Sequence, residues 1–306
     1  MNFHSHLFAD YFFSCGFLKA EKSIETDSNK PLTAIFDVSS LTKALITAPE
    51  VFSYYQVHNL DLKTPFGELG FLENFPKKIR DLNAYTCLRH ETGLPAWRNF
   101  FTRSENLERS VSDVFQDIQL GEKKAVYSDL GYILMAQIKD FEFKINSFDP
   151  KVAVSTGYSA IRQKNLVGEV HDDNAFAIQR KHAFAGHAGL FLTGPDLVQK
   201  LKNLQDNTEY PGYFAANAAL ISSNLTNESL LGFRQGGDES ARVFFSGKTM
   251  GHYGFTGCAF WIEPQTSAYV VLLTNRVASS FAIQNDWKKF RQDIFSYAYQ
   301  KLKNNN

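Results

Sequence analysis

Cysteine is scarce in this chain. It holds 3 in 306 residues, Cys15, Cys87 and Cys258, odd in number and far apart. That spacing gives no disulfide framework and no metal-binding pattern, so buried reduced thiols are the expectation. An excess of charge is also absent, since 32 basic residues balance 32 acidic ones. Basic residues gather no further than the pairs Lys77–Lys78, Lys123–Lys124 and Lys288–Lys289. No footprint for a phosphate backbone is visible, and no nucleic-acid partner is expected. No apolar run approaches the roughly 18 residues that cross a membrane, so no membrane span is expected. No Lys or Arg precedes Lys19, and Asp10 interrupts the first apolar residues. A secretory leader needs a basic start and an unbroken apolar stretch. The pattern therefore points to a cytoplasmic location. Repeats and low-complexity tracts are missing, apart from the polar end "KNNN".

What the chain has in plenty is aromatic. It carries 28 Phe, 13 Tyr and 3 Trp, with 44% hydrophobic and 21% charged residues overall. That is a globular composition with a core of large side chains. A chain of this length suits one large domain or two intertwined ones.

The elements follow from periodicity. "FFSCGFLKA" and "TAIFDV" read as strands, with "ETDSNKP" as a turn between them. After Ser39 the pattern turns helical through "LTKALI", and Pro49 is expected to end or kink that helix. The middle reads as mostly helical. Leu107, Val111, Val114, Phe115 and Ile118 share one helix face. A helix follows a cap at Ser128 or Asp129, and another runs from about Pro195. The last third returns to strands, at "RVFFSG", "CAFWIEP" and "AYVVLLTN", the last two joined by a hairpin over Glu263 to Ser267. Trp287, Phe290, Ile294 and Ala298 then form a helical stripe suited to covering a sheet.

Three stretches carry chemistry. Ser40 and Lys43 stand at i and i+3, on one helix face. A serine hydroxyl needs an adjacent base to act as a nucleophile, and a lysine can be one. Alone, the spacing also fits a helix cap at Ser39 and an exposed lysine. Tyr127 precedes Ser128 and Asp129 before a helix, where a phenol beside a cation can serve as a base. Otherwise it is a core tyrosine. In "GKTMGHYGFTGCAFWIEP", Gly251, Gly254 and Gly257 flank His252. Glycines there allow close backbone approach and N–H groups aimed at an oxyanion. The alternative is a bulged edge strand with a surface histidine. His171, Asp172, Asp173, His182 and His187 have metal-binding side chains, but their spacing fits no standard ligand set, and no metal is expected.

Taken together, the motifs resemble those of the β-lactamase-related serine hydrolases. Ser40-Leu41-Thr42-Lys43 is similar to S-x-x-K. Tyr127-Ser128-Asp129 resembles the class C-type Y-x-N, with Asp for Asn, and His252-Tyr253-Gly254 the H-x-G form of the third motif. "FDVSSLTK" resembles F-D-L-A-S-L-T-K, and "LRHETGLPAW" the H-T-S-G-L-P segment. "GEVHDDNAFAI" with "AGHAGLFLT", "GHYGFTG" and "LLTNRV" continue the resemblance in order, from about residue 34 to 277. Lys248-Thr249 nearly matches K-T-G, but Met250 follows, so His252 is preferred.

The resemblance implies one catalytic domain over 1–306 with a β-lactamase/transpeptidase-like α/β (α+β) fold. An antiparallel sheet flanked by helices would come from 1–60 and 186–306, with a helical lobe from roughly 61–185 inserted. It implies Ser40 as nucleophile, Lys43 and Tyr127 sharing its proton, and His252 orienting Tyr127 or substrate. The backbone N–H groups of Ser40 and Phe255 would form the oxyanion hole. Asp129, Tyr253, Gly254, His90 and His187 would bind substrate or support the site, with no cofactor. Asp129 for Asn would tend to keep Lys43 protonated and favour Tyr127 as the base. Tyr253 for a small residue argues against β-lactam turnover. The lead expectation is a cytoplasmic esterase or amidase on a small acyl substrate. A D,D-peptidase or β-lactamase is the enzymatic alternative, and a catalytically silent binding or sensor protein the other. A wide cleft with cationic groups above Ser40 points to carboxylate-bearing peptides, and a narrow aromatic slot to small esters.

Overall fold

The structure is a computed structural model. It describes residues 10–100, 110–143, 147–181, 184–223, 229–236, 248–278 and 284–305. In chain order the first elements are β1 (Tyr11–Phe17), β2 (Glu25–Ser28), β3 (Phe36–Asp37), α1 (Ala48–Val57), α2 (Lys77–Arg80), α3 (Ala84–Leu88), α4 (Val111–Gln116) and α5 (Leu130–Met135). Next come β4 (Gly157–Ser159), β5 (Lys164–Leu166), α6 (Asp173–Gln179), β6 (Phe191–Leu192), α7 (Gly194–Gln205) and α8 (Tyr213–Ser222). The chain closes with β7 (Arg234–Gln235), β8 (Met250–Tyr253), β9 (Ala259–Ile262), β10 (Ala268–Thr274) and α9 (Gln284–Asn304).

Six strands form one antiparallel sheet in the order β2-β1-β10-β9-β8-β7. Strands from opposite ends of the sequence lie side by side at its centre, Tyr11 opposite Thr274 through Phe17 opposite Ala268. The continuous apolar run of β10 reflects burial on both faces. Tyr269, Val271 and Leu273 enter the main core with Phe12, Phe260 and Ile262. The alternate residues Val270 and Leu272 meet α9, whose Trp287, Phe290, Ile294 and Ala298 form the expected stripe. This is the two-residue side-chain period of a strand at work.

Two expectations about the first third need correction. Glu25–Ser28 is a strand rather than a turn, pairing with β1 at the sheet edge. Its polar residues conceal it in the sequence, and they suit an edge that faces water. Pro49 does not end the helix. The chain makes a wide π-type turn over Lys43–Thr47 and continues as α1 to Val57, with Pro49 in the first turn of α1. Proline is tolerated there because the wide turn before it gives its ring room. In the middle, helices are short and separated by loops. Ser110 caps α4, its Oγ accepting the Asp113 N–H at 3.2 Å. Val111, Val114, Phe115 and Ile118 are buried as expected. Leu107, His182 and the "RVFFSG" stretch lie outside the described residues. Among the described residues no helix is long and apolar enough to cross a membrane.

Candidate active site

The site begins where β3 ends. Phe36 and Asp37 pair with β6, and the chain then turns sharply at Ser39, whose φ of 50° is left-handed. A serine is strained there unless its surroundings fix it. Asp37 does so, its Oδ1 accepting the Ser39 N–H at 2.8 Å and its Oδ2 the His171 N–H at 2.7 Å. Burial pushes the Asp37 carboxyl up to about 6, against the pull of those two N–H groups. Ser39 is thus the strained corner before Ser40 rather than a simple helix cap. Its carbonyl accepts the Thr42 hydroxyl at 2.6 Å.

Lys43 is fully buried, not exposed. Its Nζ reaches Ser40 Oγ at 2.9 Å, the His187 carbonyl at 3.0 Å and Asp129 Oδ1 at 2.7 Å. Two of its hydrogens are donated to Ser40 and the His187 carbonyl, and the Asp129 carboxylate is its ion-pair partner. Burial works against its charge, but Asp129 and then Tyr127 outweigh burial and raise its pKa. Toward Ser40, therefore, Lys43 is a donor.

Tyr127 lies across the ammonium, its ring centroid 5.1 Å from Nζ. The residues beside it pin it in place. The Ser128 N–H donates to His90 Nδ1 at 3.1 Å, and the Val126 N–H to the His90 carbonyl at 3.0 Å. The His90 ring sits 4.5 Å from that of Tyr127. Burial, then the Lys43 charge, pull His90 down to about 3, so it is a neutral acceptor. His252 is neutral for the same reasons, held well below its ordinary value by burial and Lys43. Its Nδ1 lies 2.8 Å from the Tyr253 carbonyl. A carbonyl only accepts, so the proton sits on Nδ1 and Nε2 is a bare acceptor. That Nε2 is buried and has no partner among the described residues.

The end of β8 passes close over the turn at Ser39 and Ser40. A Cβ on Gly254 would lie 2.7 Å from the Val38 carbonyl oxygen, so only glycine fits. The next residue, Phe255, donates its N–H to Ser39 Oγ at 3.3 Å. Its carbonyl accepts from Arg276 Nε at 2.7 Å, and its ring stacks on His171. Gly251 thus lies in β8, and Gly254 and Gly257 lie in the turn that leads into β9.

Ser40, Tyr127, Asp129, His252, Tyr253, Gly254 and Phe255 all line one cleft of about 880 Å³. Arg234, Arg276 and Arg291 line it as well. Trp97, Ile161 and Phe255 are exposed at its rim. Lys43, His90 and His187 are buried behind this lining. Asp129, Asp172 and His187 bring metal-type atoms within 4.8 Å of one another. Those atoms are already engaged: Asp129 holds Lys43, and Asp172 Oδ1 holds His187 Nε2 at 3.0 Å. An ion there would compete with the Lys43 ammonium.

No protein-family model matches the chain. It is 27% identical over 304 residues to an N-acetylmuramyl-L-alanine amidase of Bacillus subtilis (strain 168), covering 79% of this chain and 68% of that protein. Among solved structures, a D-amino acid amidase from Ochrobactrum anthropi SV3 superposes with a TM-score of 0.67 at 15% identity, over 97% of this chain and 94% of the other. A class C β-lactamase from Rhodobacter sphaeroides gives 0.63 at 11% identity, over 96% and 94%. The chain has the fold of the β-lactamase-related serine hydrolases. Its relative and these structural neighbours are hydrolases.

Within this β-lactamase-related fold, several contributors escaped the sequence. Asp37, two residues before Ser39, has the spacing of an Asx-type side-chain bond to the backbone, which was the available signal. Asp172 caps α6, accepting the Ala175 N–H at 2.7 Å, and binds His187 with the same oxygen. The buried His187 is raised by Asp172 although burial opposes it. Arg234, Arg276 and Arg291 come from three separate elements, and no motif links them.

Proposed function

We propose that this protein is a serine amidase that cleaves an amide or peptide bond in a carboxylate-bearing substrate through an acyl-enzyme on Ser40. One observation carries the proposal: Ser40 Oγ, 2.9 Å from Lys43 Nζ, opens into a cleft of about 880 Å³ lined by three arginines. A volume of that size holds a peptide-sized ligand. Guanidinium groups are suited to carboxylates because their paired donors match the two oxygens. Two of the three stand on aromatic faces, Arg291 at 4.0 Å from the Tyr253 centroid and Arg276 at 5.1 Å from that of Phe255. The cleft is wide, and its lining carboxylates Asp129, Asp172 and Asp173 are bonded to Lys43, His187 and Arg162, so its three arginines favour a carboxylate-bearing amide over a small neutral ester.

In this mechanism Tyr127 acts as a phenolate beside the Lys43 ammonium, Ser40 Oγ attacks the amide carbon, and the Ser40 proton passes to the Tyr127 oxygen. Lys43 stays an ammonium, because Asp129 holds it so, and stabilises the forming alkoxide. The oxyanion takes hydrogen bonds from the Ser40 and Phe255 N–H groups. The C–N bond then breaks, Tyr127 returns the proton to the leaving amine, and a serine ester remains. Water attacks that ester by the reverse proton route, releasing the acid and restoring Ser40. The bare Nε2 of His252 offers an acceptor that orients the substrate N–H, or the Tyr127 phenol once it has taken the Ser40 proton.

The test compares an N-acyl dipeptide bearing a free carboxylate with its carboxamide-capped twin. Preference for the free acid by tenfold or more in kcat/KM, and loss of both activities in Ser40→Ala, are the expected results. Equal turnover of the twins refutes the carboxylate assignment. Turnover that survives Ser40→Ala refutes the mechanism.

A further inference from the structure

Ser39 stands at the oxyanion hole as well as beside the nucleophile. Of the two donors of that hole, the Ser40 N–H has no acceptor among the described residues, whereas the Phe255 N–H already bonds Ser39 Oγ at 3.3 Å. Two contacts and a left-handed backbone fix Ser39 where its hydroxyl reaches that donor. Its N–H is tied to Asp37 Oδ1, its carbonyl to the Thr42 hydroxyl, and its backbone is held at a φ of 50°. The residue is nearly buried yet lines the cleft. Gly254 lets the strand end approach this corner, and a Cβ there would lie 3.4 Å from that of Ser39. Alanine fills this position in the F-D-L-A-S-L-T-K pattern that the segment resembles, and alanine has no oxygen to offer.

We propose that the Ser39 hydroxyl is a resident occupant of the oxyanion hole, accepting the Phe255 N–H until a substrate carbonyl displaces it. The inference rests on the Ser40 acyl-transfer reading. An N–H group has one hydrogen, so it cannot serve Ser39 Oγ and a substrate oxygen at full strength together. Every acylation must break the resident bond first. Ser39 is therefore a positioning residue that restrains the reaction by a constant factor, whichever substrate arrives.

The experiment compares wild type with Ser39→Ala and Ser39→Gly, the second because glycine adopts a positive φ without strain. Fluorophosphonate labelling of Ser40 in all three proteins, read by peptide mass, first establishes that the nucleophile works. A missing Ser40 adduct in wild type would indict the acyl-transfer reading rather than the role of Ser39. The inhibition constant of phenylboronic acid, which places an anionic oxygen in the hole, is then measured beside kcat/KM for a p-nitrophenyl ester and for the free-acid dipeptide. Both variants should gain about threefold to tenfold in kcat/KM, the range that one net hydrogen bond supplies. The gain should be equal for the two substrates and matched by an equal tightening of the boronate. A purely structural role for Ser39 predicts losses instead. Unchanged boronate affinity in both variants overturns the proposal. So does a tenfold loss of activity in Ser39→Gly with its melting temperature retained, since that would make the hydroxyl a donor to the oxyanion.

Discussion

Replacing Asp129 with Asn removes the carboxylate 2.7 Å from the buried Lys43 ammonium and keeps the shape of the side chain. In the wild type, Asp129 and Tyr127 raise the Lys43 pKa against burial. Without Asp129, burial prevails and the folded pKa falls below the unfolded one. Leaving a buried charge unpaired costs about 3–5 kcal/mol. Releasing the proton instead costs about 1.4 kcal/mol for each pH unit below a free value of about 10.4, or about 3 kcal/mol at pH 8. Deprotonation is the cheaper route there, and it makes the loss depend on pH. The folded variant then binds fewer protons than its unfolded chain, so its stability rises with pH. The wild-type lysine is charged in both states across this range and adds no such slope. Urea unfolding of both proteins at pH 7, 8 and 9 should show a deficit for Asp129→Asn near 3 kcal/mol at pH 8. The deficit should shrink by about 1.4 kcal/mol per unit as pH rises. A deficit that stays flat from pH 7 to 9 would refute Asp129 as the keeper of the Lys43 charge.

Asp37 titrates with the opposite sign. Its folded carboxyl holds a proton up to about 6, while a free one releases it near 3.9, so the folded state loses about 3 kcal/mol as pH rises from 4 to 6. The difference between wild type and Asp37→Asn, followed by denaturant titration, should carry that slope. Arg291→Ala should weaken kcat/KM for the free-acid dipeptide by about tenfold to a hundredfold, the strength of a charge-assisted hydrogen bond, and leave the carboxamide twin nearly unmoved. Gly254→Ala, whose Cβ would press to 2.7 Å from the Val38 carbonyl, should lower Tm and slow fluorophosphonate labelling of Ser40.

Much of the architecture was legible because burial writes a period into the sequence. The apolar run of β10 and the stripe of Trp287, Phe290, Ile294 and Ala298 on α9 are examples. β2 was hidden because an edge strand of Glu, Thr, Asp and Ser obeys solvent rather than a core. Pro49 misled because the π-type turn before it relieves the clash that a proline usually makes. At the site, Ser40 and Lys43 sit within one turn and could be read from spacing. Phe255 was named only through the resemblance, and the bond between Ser39 and Phe255 could not be read, because it depends on how the end of β8 crosses the corner after β3. The arginine wall was invisible for the same reason, since Arg234, Arg276 and Arg291 meet only when sheet and helix pack.

The acyl-enzyme is the most direct test of the central claim. Acid quench during turnover of a p-nitrophenyl ester, followed by peptide mapping, reports which side chain carries the acyl group. The geometry of Ser40, Lys43 and Asp129 predicts the acyl mass on the peptide containing Ser40, and its absence in Ser40→Ala. An acyl group on another residue, or turnover without any covalent adduct that persists in Ser40→Ala, would contradict it.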